Sequence, residues 1–154
     1  MKILQTYRYI QEMADGLADI KRDLRNCSEN LRDHLIMLFL FRDNINVNHW
    51  KNEVYRACHS VSKAKKNHKY PKASFIYQEL WGYYEDGFYD KCYSHIDSLE
   101  DKENVVAHAF EPTALYRFLD SYFIWLAKSL SVSGEVSSRD VKSEIDELMV
   151  RFTL

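Results

Sequence analysis

The chain has 154 residues, 46% hydrophobic and 29% charged, a length and balance that fit one soluble globular domain over residues 1–154 and exclude a disordered polymer. Four glycines and two prolines are too few for the tight turns of a many-stranded fold, so the composition points to helix. The net charge of -2 hides a segregation: residues 1–77 carry 14 Lys and Arg against 8 Asp and Glu, and residues 78–154 carry 7 against 15, so the halves either face each other or offer separate fields to a partner.

Apolar residues recur from Ile3 through Tyr7, Ile10, Leu17, Ile20, Leu24, Cys27 and Leu31, a three-and-four spacing that predicts one amphipathic helix with a kink near Gly16. It runs into HLIMLFLF, His34 to Phe41, where the apolar stripe widens to the whole circumference and predicts a central place in the core. The run RDNINVN, Arg42 to Asn48, predicts a turn, with Asn48 as N-cap of a helix that turns Trp50, Val54, Ala57 or Cys58, Val61 and Ala64 inward. That helix gives way to KAKKNHKYPK, Lys63 to Lys72, where Pro71 discourages helix at Tyr70. A helix from about Ser74 to Glu85, a turn at Asp86 and Gly87, and a helix from about Phe88 to Glu100 predict an antiparallel helical hairpin at about 74–100.

Within that hairpin, YYEDGFYDKCYSHIDSL resembles the middle of a tetratricopeptide repeat, with Tyr83, Gly87, Tyr89, Cys92 and Ile96 at the packing and turn positions. Leu80 stands where the family has a small residue, and no second copy follows at the period of stacked repeats. The stretch therefore reads as one ordinary helical hairpin. Downstream, Pro112 is placed as a first-turn residue of a helix through LYRFLDSYFIWLAKSL. This helix is apolar on most sides, with Trp125 expected to be buried. After the loop SVSGEVSS, the segment RDVKSEIDELMVRF sets Val141, Ile145, Leu148, Met149 and Phe152 on one face, and Ser137 and Asp140 are spaced like a capping box. The expected fold is an all-α, single-domain bundle of about five to seven helices.

Cys27, Cys58 and Cys92 are odd in number, widely spaced and without a CxxC pair, which argues against a disulfide framework and for a reducing cytoplasm. The longest apolar runs, Leu35 to Phe41 and Tyr122 to Ala127, fall far short of the roughly 20 residues a membrane helix needs. Neither a membrane partner nor a signal peptide is expected. The histidines His34, His49, His59, His68, His95 and His108 form no HxxxH or HExxH pattern, and Cys92 with His95 is half a site at most, so no metal or cofactor is expected. Gly-rich phosphate loops, nucleophile elbows and paired-carboxylate motifs are also absent, which weakens the case for an enzyme.

One segment points the other way. Arg42 and His49, with six residues between them, resemble the RxxxxxxH signature of the HEPN family of small all-helical ribonucleases found in toxin and phage-defence systems. The resemblance implies a dimer in which Arg and His from two protomers meet and cleave RNA without metal. His49 would be the acid or base and Arg42 the stabiliser of phosphate charge.

The lysine run raises a third possibility, because Lys63, Lys65, Lys66, Lys69 and Lys72 could each contribute counterion release to phosphate binding. Beyond them, Tyr77, Trp81, Tyr84 and Phe88 fall at the helical spacing of a packing face, so the first reading of the region is a solvated loop leading into a core helix; Ile76, Leu80 and Tyr83 form a second stripe beside it. Two stripes exceed what one buried face requires, and the surplus reads as a protein interface with Tyr77, Trp81 and Tyr84 in it and Trp81 as anchor. The favoured expectation is a non-catalytic protein of the antitoxin, immunity or phage-inhibitor kind that binds another protein. A HEPN-type ribonuclease is the alternative and a nucleic-acid-binding module the second; a homodimer is left open.

Overall fold

The computed structural model describes residues 2–67, 72–82 and 112–152. The described residues form α1 (Lys2–Leu40), α2 (Val47–Asn67), α3 (Ala73–Gly82), α4 (Pro112–Ser133) and α5 (Ser138–Arg151), with no strand among them. The all-helical bundle is thus as the periodicity requires. The second arm of the predicted hairpin, 88–100, and the turn before it lie outside the described residues.

α1 continues through Gly16 as one helix, about 58 Å long at 1.5 Å per residue. Its buried positions Leu24, Ser28, Leu31, Leu35 and Leu38 alternate steps of four and three, and Ile36, Phe39, Leu40 and Phe41 widen the seam as HLIMLFLF predicts. Ser28 is tolerated there because its hydroxyl donates to the Arg25 carbonyl at 2.9 Å. α2 folds back against α1, with Trp50, Val54, Ala57, Cys58 and Val61 inside. The side chain of Ala64 lies outside the described residues.

The turn between them differs from expectation. Asn44 accepts the Asn46 amide on its side-chain oxygen at 2.7 Å, and the Asn46 carbonyl accepts the Trp50 amide at 3.0 Å. Asn46 therefore holds the N-cap position and Asn48 is already in the first turn of α2. The Asx turn at Asn44 starts the helix early by fixing the backbone ahead of it.

α3 packs on α4, and α5 lies against α2 and α4. α4 begins at Pro112 as predicted but extends past Leu130 to Ser133, through three residues assigned to a loop by composition. Gly134 ends it at φ 76, and its amide bonds the Leu130 carbonyl at 3.0 Å. This left-handed terminus suits a residue without Cβ. Ser62 of α2 then donates to the Gly134 carbonyl at 2.6 Å, tying the turn to the neighbouring helix. α5 opens with Ser137, whose side chain accepts the Asp140 amide at 3.1 Å. Val141, Ile145 and Leu148 are buried, with Met149 and Phe152 packed partly against them. One buried apolar cluster draws on all five helices.

The charge segregation is partly resolved inside the fold. Lys21 of α1 lies 4.0 Å from Glu79 of α3, and Lys51 of α2 lies 2.6 Å from Asp146 of α5. In both pairs a cation of the first half meets an anion of the second. No helix among the described residues is long and apolar enough to cross a membrane.

Candidate functional site

The aromatic surplus on α3 faces α4. The Tyr77 hydroxyl donates to a carboxylate oxygen of Asp120, and the Trp81 indole N–H donates to the same oxygen at 2.9 Å. Tyr116 stacks on the Trp81 ring with centroids 4.8 Å apart, and Phe123 meets it edge-on at 5.0 Å. Trp81 is only 6% exposed, so it does not face a partner as a surface anchor, contrary to expectation. The physical reason is Asp120. A carboxylate in an apolar helix needs donors, and α3 supplies them from the two aromatics that carry a polar tip. Burial, then the Asp120 carboxylate, hold the Tyr77 phenol well above its ordinary range.

Asp120 was legible in FLDSYFIWLA as a lone acid among apolar residues, which is a signal for a partnered interior carboxylate. Trp125 reverses the other way: it is half-buried, because α4 sends Tyr122, Phe123, Leu126 and Ala127 inward and leaves Ile124 and Trp125 on its flank. Tyr84 lies outside the described residues.

Two arginines bind helix ends. Arg32, 1% exposed, donates from Nη1 to the Leu80 carbonyl in the last turn of α3 at 3.1 Å. Arg42 donates from Nε to the Phe39 carbonyl at 3.2 Å and from its two terminal nitrogens to the Met149 and Phe152 carbonyls at the end of α5, while its guanidinium lies 4.7 Å from the centre of the Phe39 ring. Helix C-termini carry orphan carbonyls and the negative end of the dipole, and a planar fork can satisfy two at once. Burial lowers the Arg42 pKa from its ordinary value. His49, the other half of the RxxxxxxH pattern, stands exposed in the first turn of α2. Arg42 thus has a structural task that accounts for it within one chain.

No protein family matches this chain. Neither does any curated protein or solved structure. What the chain can do therefore rests on its own geometry.

The lysines divide by position. Lys63 is exposed near the end of α2, and Lys72 is exposed just before α3, whose first turn starts with the Lys72 carbonyl accepting the Phe75 and Ile76 amides. Lys65 and Lys66 stand in the last turn of α2, and Lys69 lies outside the described residues. Lys63 borders a cleft of about 480 Å³ between α2 and the start of α5, which also takes in Tyr55, His59, Glu135, Ser137 and Asp140. A second cleft of about 470 Å³, bordered by Trp125, Lys128, Val132 and Glu144, lies on the other side of the same connector.

The buried groups with nucleophilic potential are engaged in the fold. The Cys58 thiol, 3.8 Å from the Tyr122 hydroxyl, is pushed up to about 12 by burial, which keeps it protonated and inert. Tyr122 in turn reaches the Val141 carbonyl at 3.4 Å. Among the described residues, no three His, Cys, Asp or Glu side chains converge as a metal site would require.

Proposed function

We propose that the chain acts by binding another macromolecule, without catalysis of its own, in the manner of an antitoxin, immunity protein or phage-encoded inhibitor. The observation that carries this reading is where its chemically potent side chains are spent. Arg42 holds the α5 terminus, Arg32 reaches the α3 terminus, Asp120 joins α3 to α4, and Cys58 and Tyr122 lie inside. What remains for function is surface. On α4 that surface includes Tyr116, Ile124 and the 89% exposed Val132 beside Lys128, a mixture of apolar and charged groups of the kind protein interfaces use.

Expression in a bacterial host tests the reading. Growth should be unaffected and total RNA intact. Growth arrest with RNA fragmentation, relieved by His49→Ala at an unchanged melting temperature, would replace the binder with the HEPN-type ribonuclease. His49→Ala is the informative variant because His49 is exposed, whereas loss of Arg42 also releases α5.

A further inference from the structure

We infer that the outer face of α2 is a docking surface for the phosphate backbone of a nucleic acid. The inference goes beyond the binding reading above: it concerns a second face, on α2 and apart from the α4 surface, and a different class of partner. No Asp or Glu occurs from Val54 to Gln78, while Arg56, Lys63, Lys65, Lys66, Lys69 and Lys72 do. Over that stretch of sequence every charged side chain is a cation.

The fold decides which of these cations are free to act. α2 buries Trp50, Val54, Ala57, Cys58 and Val61, so its opposite side shows Asn52, Arg56, His59, Ser60 and Lys63 to solvent. These positions follow one another by steps of one, three or four residues along about 17 Å of helix, a row long enough to follow several phosphates of one strand. Lys51 is turned away to Asp146 and contributes nothing to that row. Arg56 pairs with Glu53 at 2.8 Å on its own helix, but its side chain remains 74% exposed, and so open an ion pair yields readily to a phosphate. Glu135 and Asp140, across the cleft from Lys63, bound the surface on the α5 side.

The absence of apolar anchors selects nucleic acid over a protein. The exposed large hydrophobic residues described are Ile45, Tyr116, Ile124, Val132 and Val150, and α2 holds none of them. A protein interface concentrates its energy in buried aromatic or aliphatic anchors. A phosphate backbone needs cations and hydrogen-bond donors, and asparagine and serine side chains beside Arg and Lys are that set.

Fluorescence anisotropy of the full chain with labelled single-stranded RNA and duplex DNA of mixed sequence tests the inference. At roughly 50 mM salt the chain should bind at least one of the two, with affinity falling steeply toward roughly 200 mM as phosphate counterions are recaptured. The double variant Arg56→Glu/Lys63→Glu should weaken binding by about tenfold or more at an unchanged melting temperature, and Lys128→Ala on α4 should leave it intact. Absence of binding by the folded chain at low salt overturns the inference and leaves the broader binding reading in place. So does equal weakening by Lys128→Ala, or equally tight binding to polyglutamate, which would make the partner any acidic polymer or protein. Cleavage of the RNA would overturn the binding reading itself.

Discussion

Arg42 shows how a residue with a catalytic look can be a structural one. Its guanidinium closes the end of α5 from 107 and 110 residues away in sequence and lies over Phe39. Hydrogen bonds from a charged donor contribute about 1.5–3 kcal/mol, and losing the donor removes the partner of two carbonyls of α5 and one of α1. Arg42→Ala should therefore lower stability by about 2–3 kcal/mol, read as the shift in a urea unfolding midpoint. Arg42→Lys should recover only part of it, because a point charge does not span two carbonyls. An unchanged midpoint in Arg42→Ala would return the residue to the pool of candidates for chemistry. No sequence pattern could reveal this task, since the partners are backbone atoms whose nearness exists only after folding. Trp81 illustrates the converse: its spacing marks a packing face, while its surplus suggested an interface, and the half-buried acceptor Asp120, together with the 6% exposure of the ring, resolves the two in favour of packing.

At the level of elements, the inward faces were readable because burial imposes the helical period on apolar residues, as in Trp50, Val54, Ala57, Cys58 and Val61 of α2 or Val141, Ile145 and Leu148 of α5. Boundaries were readable only where one residue type has one role. Pro112 and the Ser137–Asp140 spacing located the starts of α4 and α5. Among Asn44, Asn46 and Asn48, by contrast, composition alone does not say which residue makes the Asx turn and which begins the helix. The end of α4 was misplaced for a related reason: Ser131, Val132 and Ser133 resemble a loop, but the left-handed Gly134 directly after them is the actual stop. α5 is held at both ends, by Ser137 at the start and Arg42 at the finish. Ser137→Ala removes the acceptor for the Asp140 amide and should cost about 1 kcal/mol, whereas Ser137→Asp should retain nearly all of it. Equal urea midpoints for Ser137→Ala and the parent would show that Arg42 and packing alone set the stability of α5.

For the whole molecule, protonated thiols and phenols held in or against the core make stability fall at alkaline pH. Cys58 is raised from 9.0 to about 12 by burial, Cys27 is raised from 9.0 chiefly by burial and then by Asp23, and Tyr122 and Tyr77 are raised above 10.0, first by burial. In each case the folded chain holds its proton more tightly than the unfolded chain does. The associated stability is complete below the unfolded value and is lost as pH climbs toward the folded one. For these groups the loss begins near 9 with the thiols, is joined near 10 by the phenols, and for Cys58 runs to about 12. Melting temperature followed by circular dichroism should therefore be flat in this respect up to about pH 9 and fall progressively above it. The variant Cys58→Ala removes the thiol that is raised most firmly, and its decline between pH 9 and 10 should be shallower than that of the parent. The part of the tyrosinate absorbance due to Tyr122, taken as the difference between the parent and Tyr122→Phe, should rise together with loss of helicity, because Tyr122 is wholly buried and ionises only when the bundle opens. A parent chain whose melting temperature holds steady through pH 11, or a Cys58→Ala profile that superimposes on it, would mean that water reaches the interface between α2 and α4 where Cys58 meets Tyr122.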